Sequence, residues 1–206
     1  ISSGAKTAAD VNTELGAGYI GNGRYDRALI KLNKAIRQDS RHALAHNYLG
    51  VLYGRLERPE QAYREFETSV KLSPDDSTIL NNYAIFLCEQ KKFDEAQKKF
   101  SKVIDNPLYI NRAGAYQSAG WCASQSEDYE LSEKLYRKAL EMNPSLPRSQ
   151  LGLARIYYKQ ANYNFAWTYF KRFDVGSVQD SDSLWLGINI LRKMQNPNNN
   201  LLSSYK

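Results

Sequence analysis

The chain has 206 residues, of which 42% are hydrophobic, and it carries 28 Lys and Arg against 22 Asp and Glu, a formal net charge of +6. Basic and acidic residues are interspersed and no nucleic-acid-binding motif accompanies them, so we predict solvated helix faces and no nucleic-acid partner. No apolar run approaches the ~18 residues that a membrane-spanning helix requires, so the sequence predicts no transmembrane segment.

Small residues recur along the chain at a nearly constant spacing. They are Ala28, Ala62, Ala96, Ser132 and Ala166, at intervals of 34, 34, 36 and 34 residues. A period of about 34 residues is that of the tetratricopeptide repeat, a pair of antiparallel helices joined by a tight turn. The sequence therefore predicts an all-α fold, a right-handed superhelical solenoid of about six such helix-turn-helix repeats, the last of them incomplete.

Other residue classes keep the same register. A small residue precedes each marker by twelve positions and a bulky residue follows it by four, as Gly50 and Phe66 do around Ala62. Two helices approach closely only where a small side chain faces a large one, so we predict such pairs between the two helices of a repeat. Pro74 and Pro144 follow their markers by twelve residues, where a proline ends the second helix.

The register divides the chain into a tail and one repeat domain. Residues 1–8 contain no initiator Met and no signal-peptide core, and they are expected to be a tail that resembles an expression scar or a mature N-terminus. Residues 9–206 are predicted to form the domain, with repeats 1–6 at 9–42, 43–76, 77–110, 113–146, 147–180 and, in part, 181–206. Repeat 6 starts with a helix over 183–191 and is broken at 196–200, so we expect a polar capping helix to be missing.

Two patterns in repeats 1 and 2 match ligand-binding motifs, and in both a structural role is favoured. Gly16, Gly18 and Gly21 match the dinucleotide motif, but that motif works only between a strand and a helix. His42 and His46 have the spacing of two metal ligands, but a zinc site needs at least a third. We therefore predict no metal, no cofactor and no catalytic residue, that is, a non-enzymatic protein.

The two cysteines, Cys88 and Cys122, lie on the first helices of repeats 3 and 4 among apolar residues. Buried free thiols are expected at such positions. A disulfide between them is the alternative, which the sequence leaves open because it depends on the distance between the two residues. The cysteines therefore do not assign the chain to a redox compartment.

The first helices of such repeats line a concave groove, and their groove-facing side chains are the predicted binding residues. We read them near the second, fifth, ninth and twelfth places of repeats 2–6. They are Asn47, Val51, Asn81, Ile85, Gln117, Trp121, Arg155, Tyr158, Lys159, Trp185 and Asn189. Amide and guanidinium groups can bond an extended peptide, and Trp and Tyr add apolar area at small entropic cost. The set predicts a protein-binding groove on a chain expected to be a monomer.

Several stretches are more specific than the general repeat. Residues 80–96 read LNNYAIFLCEQKKFDEA, and the segment 107–112, PLYINR, contains the two extra residues before repeat 4. Residues 157–159, YYK, and 184–188, LWLGI, are also distinctive. Over nearly its whole length the chain resembles the type IV pilus pilotins, the PilF/PilW family.

The resemblance implies a lipoprotein on the periplasmic face of the outer membrane, which helps the type IV pilus secretin reach that membrane and form its multimer. It implies secretin subunits as partners and an N-terminal lipid anchor, although no anchor cysteine stands at the start of this chain. Two alternatives stay open: a general adaptor that binds partner peptides or chaperones, and the recruiting arm of a larger enzyme. An adaptor's carboxylate clamp needs Lys, Asn and Arg at set groove positions; Asn47 and Asn82 are present, but no clean basic set accompanies them.

Overall fold

The computed structural model describes residues 6–174 and 180–195. In these ranges all regular elements are α-helices, and none is a strand. In chain order they are α1 (Ala8–Gly21), α2 (Tyr25–Gln38), α3 (Ala43–Arg55), α4 (Pro59–Leu72), α5 (Ser77–Glu89), α6 (Phe93–Asp105), α7 (Arg112–Gln125), α8 (Tyr129–Met142), α9 (Pro147–Lys159), α10 (Tyr163–Asp174) and α11 (Ser181–Met194). The predicted all-α class with helix-turn-helix repeats is confirmed. The break predicted at 196–200 lies outside the described residues.

The chain forms two compact units. The N-terminal unit spans Ile1–Tyr109 and contains α1–α6, whereas the C-terminal unit spans Ile110–Lys206 and contains α7–α11. In each unit the helices pack as consecutive antiparallel pairs, and each first helix also contacts the next first helix of its unit. The boundary falls inside the segment 107–112, where the sequence has its two extra residues. The single repeat domain over 9–206 stays a prediction.

The turn inside repeats 1–5 has one backbone geometry. In repeat 1 the N–H of Gly23 donates to the carbonyl of Ile20, and the N–H of Arg24 donates to that of Tyr19. This pair of bonds is the Schellman C-cap, which places one residue in the left-handed region. The equivalent residues of repeats 2–5 are not glycine, yet they have φ between 56° and 62°: Glu57, Lys91, Glu127 and Ala161. A left-handed non-glycine residue costs about 1–2 kcal/mol, so the packing of each helix pair offsets that strain.

A glycine of the first helix lies against a buried bulky residue of the second helix, as the register predicts. A Cβ placed on Gly16 would lie 2.6 Å from the side chain of Leu32, and one on Gly50 would lie 2.9 Å from the ring of Phe66. Leu32 and Phe66 are both fully buried, so neither has space to move aside. The absence of a side chain at the glycine is therefore what lets the two helices approach.

Aromatic rings join repeats 2 and 3 in the N-terminal unit. Phe66 of α4 stacks on Tyr83 of α5 with ring centroids 5.0 Å apart, and Tyr63 meets Phe86 edge-on at 4.8 Å. Such pairs stabilise a core by about 0.5–1.5 kcal/mol beyond the area they bury. This cluster packs α4 against α5 and thereby joins the second helix of repeat 2 to the first helix of repeat 3.

Neither cysteine is a free thiol, which corrects the expectation from the sequence. Both Cys88 and Cys122 are buried and disulfide-bonded. The predicted burial of the two residues is confirmed. The sequence could not distinguish a buried thiol from a buried disulfide, because pairing requires a specific distance between Cα atoms.

Helix α11 leaves an apolar stripe uncovered in the C-terminal unit. Leu184, Ile188 and Leu191 are 48%, 51% and 39% exposed. The residues 34 positions earlier in α9 are all buried: Gln150, Ala154 and Tyr157. The ring of Tyr157 packs on two rings of α10. The stripe is thus the face that would meet a second helix, and in the described part of the chain no helix follows α11.

The close contact of the paired helices can be tested with two glycines of α1. Gly16→Ala should lower the free energy of unfolding by about 1–3 kcal/mol, because the added methyl overpacks the contact with Leu32. Gly18→Ala is the matched control: nothing lies within 4 Å of its Cβ position, so it should raise stability by about 0.5–1 kcal/mol through helix propensity. Urea unfolding of both variants measures this. Equal effects of the two substitutions would contradict the packing account.

The state of the cysteines can be tested by thiol titration. Protein isolated without reductant and then denatured should give no reaction with a thiol reagent, and reduction should release two reactive thiols. Reactive thiols in the unreduced denatured chain would show that the cysteines are unpaired.

Candidate functional site

A pocket lies on the first helices of the N-terminal unit. Its volume is about 360 Å³. That lies in the range of ~300–1,000 Å³ typical of ligand sites. The lining comes from α1, from the residue before α3, from α3 and from α5: Asp10, Thr13, Glu14, Ala17, His42, Leu44, Tyr48 and Thr78. No Lys or Arg is among these lining residues.

The repeat itself places these residues side by side. Asp10, Leu44 and Thr78 are 34 residues apart, so they occupy the same place in three consecutive repeats. Helices α1 and α3 are in contact, as are α3 and α5. Equivalent residues of adjacent first helices therefore form a row across the pocket, and the groove surface follows directly from the period.

A hydrogen-bonded pair of Asp10 and His42 forms one wall. Nε2 of His42 donates to Oδ1 of Asp10 at 2.8 Å, while Nδ1 accepts the N–H of Ala45 at 3.2 Å and caps α3. Oδ2 of Asp10 accepts the backbone N–H and the hydroxyl of Thr7, each at 2.8 Å. The bond from His42 and then those from Thr7 lower the pKa of Asp10 to about 2. The carboxylate is therefore charged at neutral pH.

Glu14 and Tyr48 form the rest of the polar lining. Glu14 pairs with Lys6 at 2.7 Å, and both side chains of that pair are more than half exposed. Burial raises the pKa of Tyr48, and the charges of Asp76 and Glu14 raise it further. The phenol is therefore neutral at physiological pH and lies in a negative electrostatic field.

The side chains that line the pocket suit the non-covalent binding of a ligand. It combines carboxylates and a hydroxyl with the apolar surfaces of Ala17, Leu44 and the Tyr48 ring. Its single imidazole is already bonded on both nitrogens. Across residues 6–174 and 180–195, no cluster of three His, Cys, Asp or Glu could hold a metal, and no helix is long and apolar enough to cross a membrane.

The side chains of Asn47 and Asn82 form hydrogen bonds within the fold. Asn47 is fully buried, and its Nδ2 donates to the carbonyl of Ile79 at 3.4 Å. Nδ2 of Asn82 donates to Oδ1 of Asn47 at 2.7 Å. These bonds tie α3 to α5. Any binding role of Asn47 stays a prediction.

The other three predicted groove residues of the N-terminal unit lie beside the pocket row without lining it. Asn81 is 8% exposed, and its Oδ1 has no hydrogen-bond partner. Val51 and Ile85 are half-buried. None of the three is among the pocket residues.

Three predicted groove residues of the C-terminal unit are half-buried. Oε1 of Gln117 accepts the hydroxyl of Ser149 at 3.3 Å, which joins α7 to α9. Trp121 and Tyr158 pack against the core of this unit. Their apolar area is therefore only partly available to a partner.

Of the remaining predicted residues, Asn189 is half-buried and the other three are exposed. Arg155 is exposed, and Nζ of Lys159 lies 4.6 Å from the ring centre of Tyr129. Trp185 is 61% exposed, and Nδ2 of Asn189 donates to its carbonyl at 2.8 Å. Binding by these residues stays a prediction.

The pocket was not predicted because the groove places were read in repeats 2–6 only. The same places of repeat 1 are Asp10, Thr13, Ala17 and Ile20, of which the first three line the pocket. The period was a sufficient signal for these three. His42 and Tyr48 gave no such signal, since their positions depend on how α3 packs against α1.

Comparison with protein families places tetratricopeptide-repeat models on residues 13–62 and 75–145. Among curated proteins, the type IV pilus assembly protein PilF of Pseudomonas aeruginosa is 30% identical over 189 residues, which covers 92% of this chain and 75% of that protein.

Two solved structures have the same architecture over most of their length. One comes from a functional characterisation of Pseudomonas aeruginosa PilF, with a TM-score of 0.81, 29% identity and coverage of 93% of this chain and 86% of that one. The other is PilW, described as a widely conserved type IV pilus biogenesis factor, with a TM-score of 0.84, 25% identity and coverage of 95% and 90%.

The Asp10–His42 pair can be tested by replacing the imidazole. His42→Asn keeps a favoured N-cap residue for α3 but cannot reach Asp10. The pKa of Asp10 should then rise from about 2 towards its ordinary value of 3.8, as followed by carboxyl NMR titration. Because the folded-state pKa is the lower one, the contribution of Asp10 to stability is present above the unfolded pKa and is lost as the pH falls towards 2.

His46→Asn is the control for that titration, because His46 pairs with Glu65 and makes no contact with Asp10. It should leave the pKa of Asp10 unchanged. An Asp10 pKa that is unaffected by His42→Asn, or that is already near 3.8 in the wild type, would contradict the assignment.

Proposed function

The chain belongs to the PilF family of type IV pilus tetratricopeptide-repeat proteins, and on that premise we propose that it is a non-enzymatic scaffold, a pilotin that binds the type IV pilus secretin. The observation that carries the proposal is the 30% identity to a pilus assembly protein across 92% of this chain. By this proposal the protein brings secretin subunits to the outer membrane and promotes their assembly into a multimer.

The groove side of the N-terminal unit supports a binding role. Its pocket is built on three helices fixed by core contacts, so little conformational freedom remains to be lost on binding. The residues around it offer hydrogen-bond acceptors next to apolar surface. This combination suits a segment of another protein.

The proposed location is the periplasmic face of the outer membrane, with a lipid anchor as the attachment. Disulfide bonds persist in oxidising compartments, including the bacterial periplasm, and are rare in the cytosol. Both cysteines of the chain are disulfide-bonded. Their state supports a periplasmic location over a cytosolic one.

The general adaptor that grips a partner's C-terminal carboxylate is the weaker candidate. Such a clamp requires Lys or Arg in the groove, whereas the pocket is lined by Asp10 and Glu14. A terminal carboxylate would be repelled there.

The proposal predicts that the secretin co-purifies with the full-length lipoprotein from membranes. Ala17→Trp should reduce the recovered secretin about tenfold or more, a loss of about 1.4 kcal/mol, because the indole fills the pocket. Gln97→Trp is the matched control, since it adds the same ring to an exposed site on α6.

Secretin absent from the wild-type preparation would refute the proposed function. If Ala17→Trp and the wild type recover equal amounts of secretin, the protein still binds secretin, but the pocket takes no part in that binding. In cells lacking the gene, we expect the heat-resistant secretin multimer to disappear from the outer-membrane fraction.

A further inference from the structure

We propose that the pocket of the N-terminal unit receives a basic side chain, Lys or Arg, from an extended segment of the partner protein. The inference rests on the proposed protein-binding function and adds the residue class that the pocket selects. Charge, exchangeable ion pairing and the shape of the walls support it independently.

The charge of the pocket is negative. Asp10 and Glu14 line it, and Asp76 lies just outside, where its carboxylate accepts the N–H groups of Thr78 and Ile79 at 2.8 and 3.1 Å. No Lys or Arg lines the pocket, so a basic group would meet no repulsion from its lining. The negative field reaches Tyr48: burial raises the pKa of this residue most, and the charges of Asp76 and Glu14 raise it further.

The carboxylate of Glu14 can exchange its present partner. Lys6 pairs with it at 2.7 Å, but the two side chains are 63% and 58% exposed. Exposed ion pairs contribute little to stability because water screens them, so a cation that is better desolvated can displace Lys6 at small cost. Asp10 has a different role, because its bonds to His42 and Thr7 hold it in place as a fixed negative charge.

The walls suit the long stem of a basic side chain. Ala17 and Leu44 offer apolar surface for methylene groups, and the Tyr48 ring can face the cation. A cation is attracted to the face of an aromatic ring, and the attraction is stronger when the cation is desolvated. The same chain already uses this contact elsewhere, with Lys99 at 4.6 Å from the ring centre of Tyr83.

The test is an NMR titration of the uniformly ¹⁵N-labelled chain with three small probes. N-acetyl-arginine amide carries the cation, N-acetyl-citrulline amide has the same shape without the charge, and N-acetyl-glutamic acid amide carries the opposite charge. The arginine probe should shift the amides of Thr13, Leu44 and Thr78, and the citrulline probe should bind at least about threefold more weakly, the size of a partly exposed ion pair.

Glu14→Gln should weaken the arginine probe by about three- to fivefold, and Glu14→Lys should abolish its shifts at these three amides. Glu60→Gln is the matched control, because it removes one exposed carboxylate of α4 outside the pocket. It should leave the titration unchanged. Far-ultraviolet circular dichroism confirms that each variant is folded.

The proposal is overturned if the arginine probe gives no shifts at the three amides, if citrulline binds equally well, or if Glu14→Gln has no more effect than Glu60→Gln. It is also overturned if the glutamate probe occupies the pocket. No secretin is present in this titration, so its failure leaves the secretin experiment unaffected. Conversely, a failed secretin experiment does not alter the affinity of the pocket for a basic side chain.

Discussion

The close approach of two helices at a residue without a side chain is the constraint on which the structure depends. Gly16 and Gly50 in the N-terminal unit and Gly120 in the C-terminal unit each lie where an added Cβ would meet a buried side chain at 2.6–2.9 Å. This contact sets the geometry of each helix pair. The pairs then stack with first helices adjacent, which aligns equivalent residues into a groove. The pocket row of Asp10, Leu44 and Thr78 is thus a consequence of a packing rule and a 34-residue period.

The fold could be predicted from the sequence because its determinants are local and repeated. The small residues and the bulky residues that face them each carry the period by themselves, and Pro74 and Pro144 keep the same register. The turns could not be predicted in the same way. The residues with a left-handed backbone at this place, where glycine is usual, are Glu57, Lys91, Glu127 and Ala161. Helix packing on both sides of each turn imposes that conformation. The disulfide-bonded state of the cysteines also escaped prediction, because it depends on a distance that local patterns do not contain.

Binding by the predicted groove residues stays a prediction, and the pocket was not among the predicted features. The places chosen in repeats 2–6 include Asn47, whose amide is buried and joins α3 to α5. They leave out α1, which supplies half of the pocket lining. An amide in a groove place can serve packing or binding, and only burial distinguishes the two. The electrostatic character of the pocket was equally hidden, since it comes from Asp10 and Glu14 of α1 together with Asp76, the N-cap of α5, which is far from them in sequence.

The central claim is that the partner binds the groove side formed by the first helices of the N-terminal unit. Hydrogen–deuterium exchange of the full-length protein with and without purified secretin tests it most directly. The account predicts slower exchange in peptides from α1, α3 and α5, with the largest change around residues 10–17 and 44–48, and little change in α2, α4 and α6. Protection confined to the second helices or to the C-terminal unit, with α1 and α3 unchanged, would contradict it.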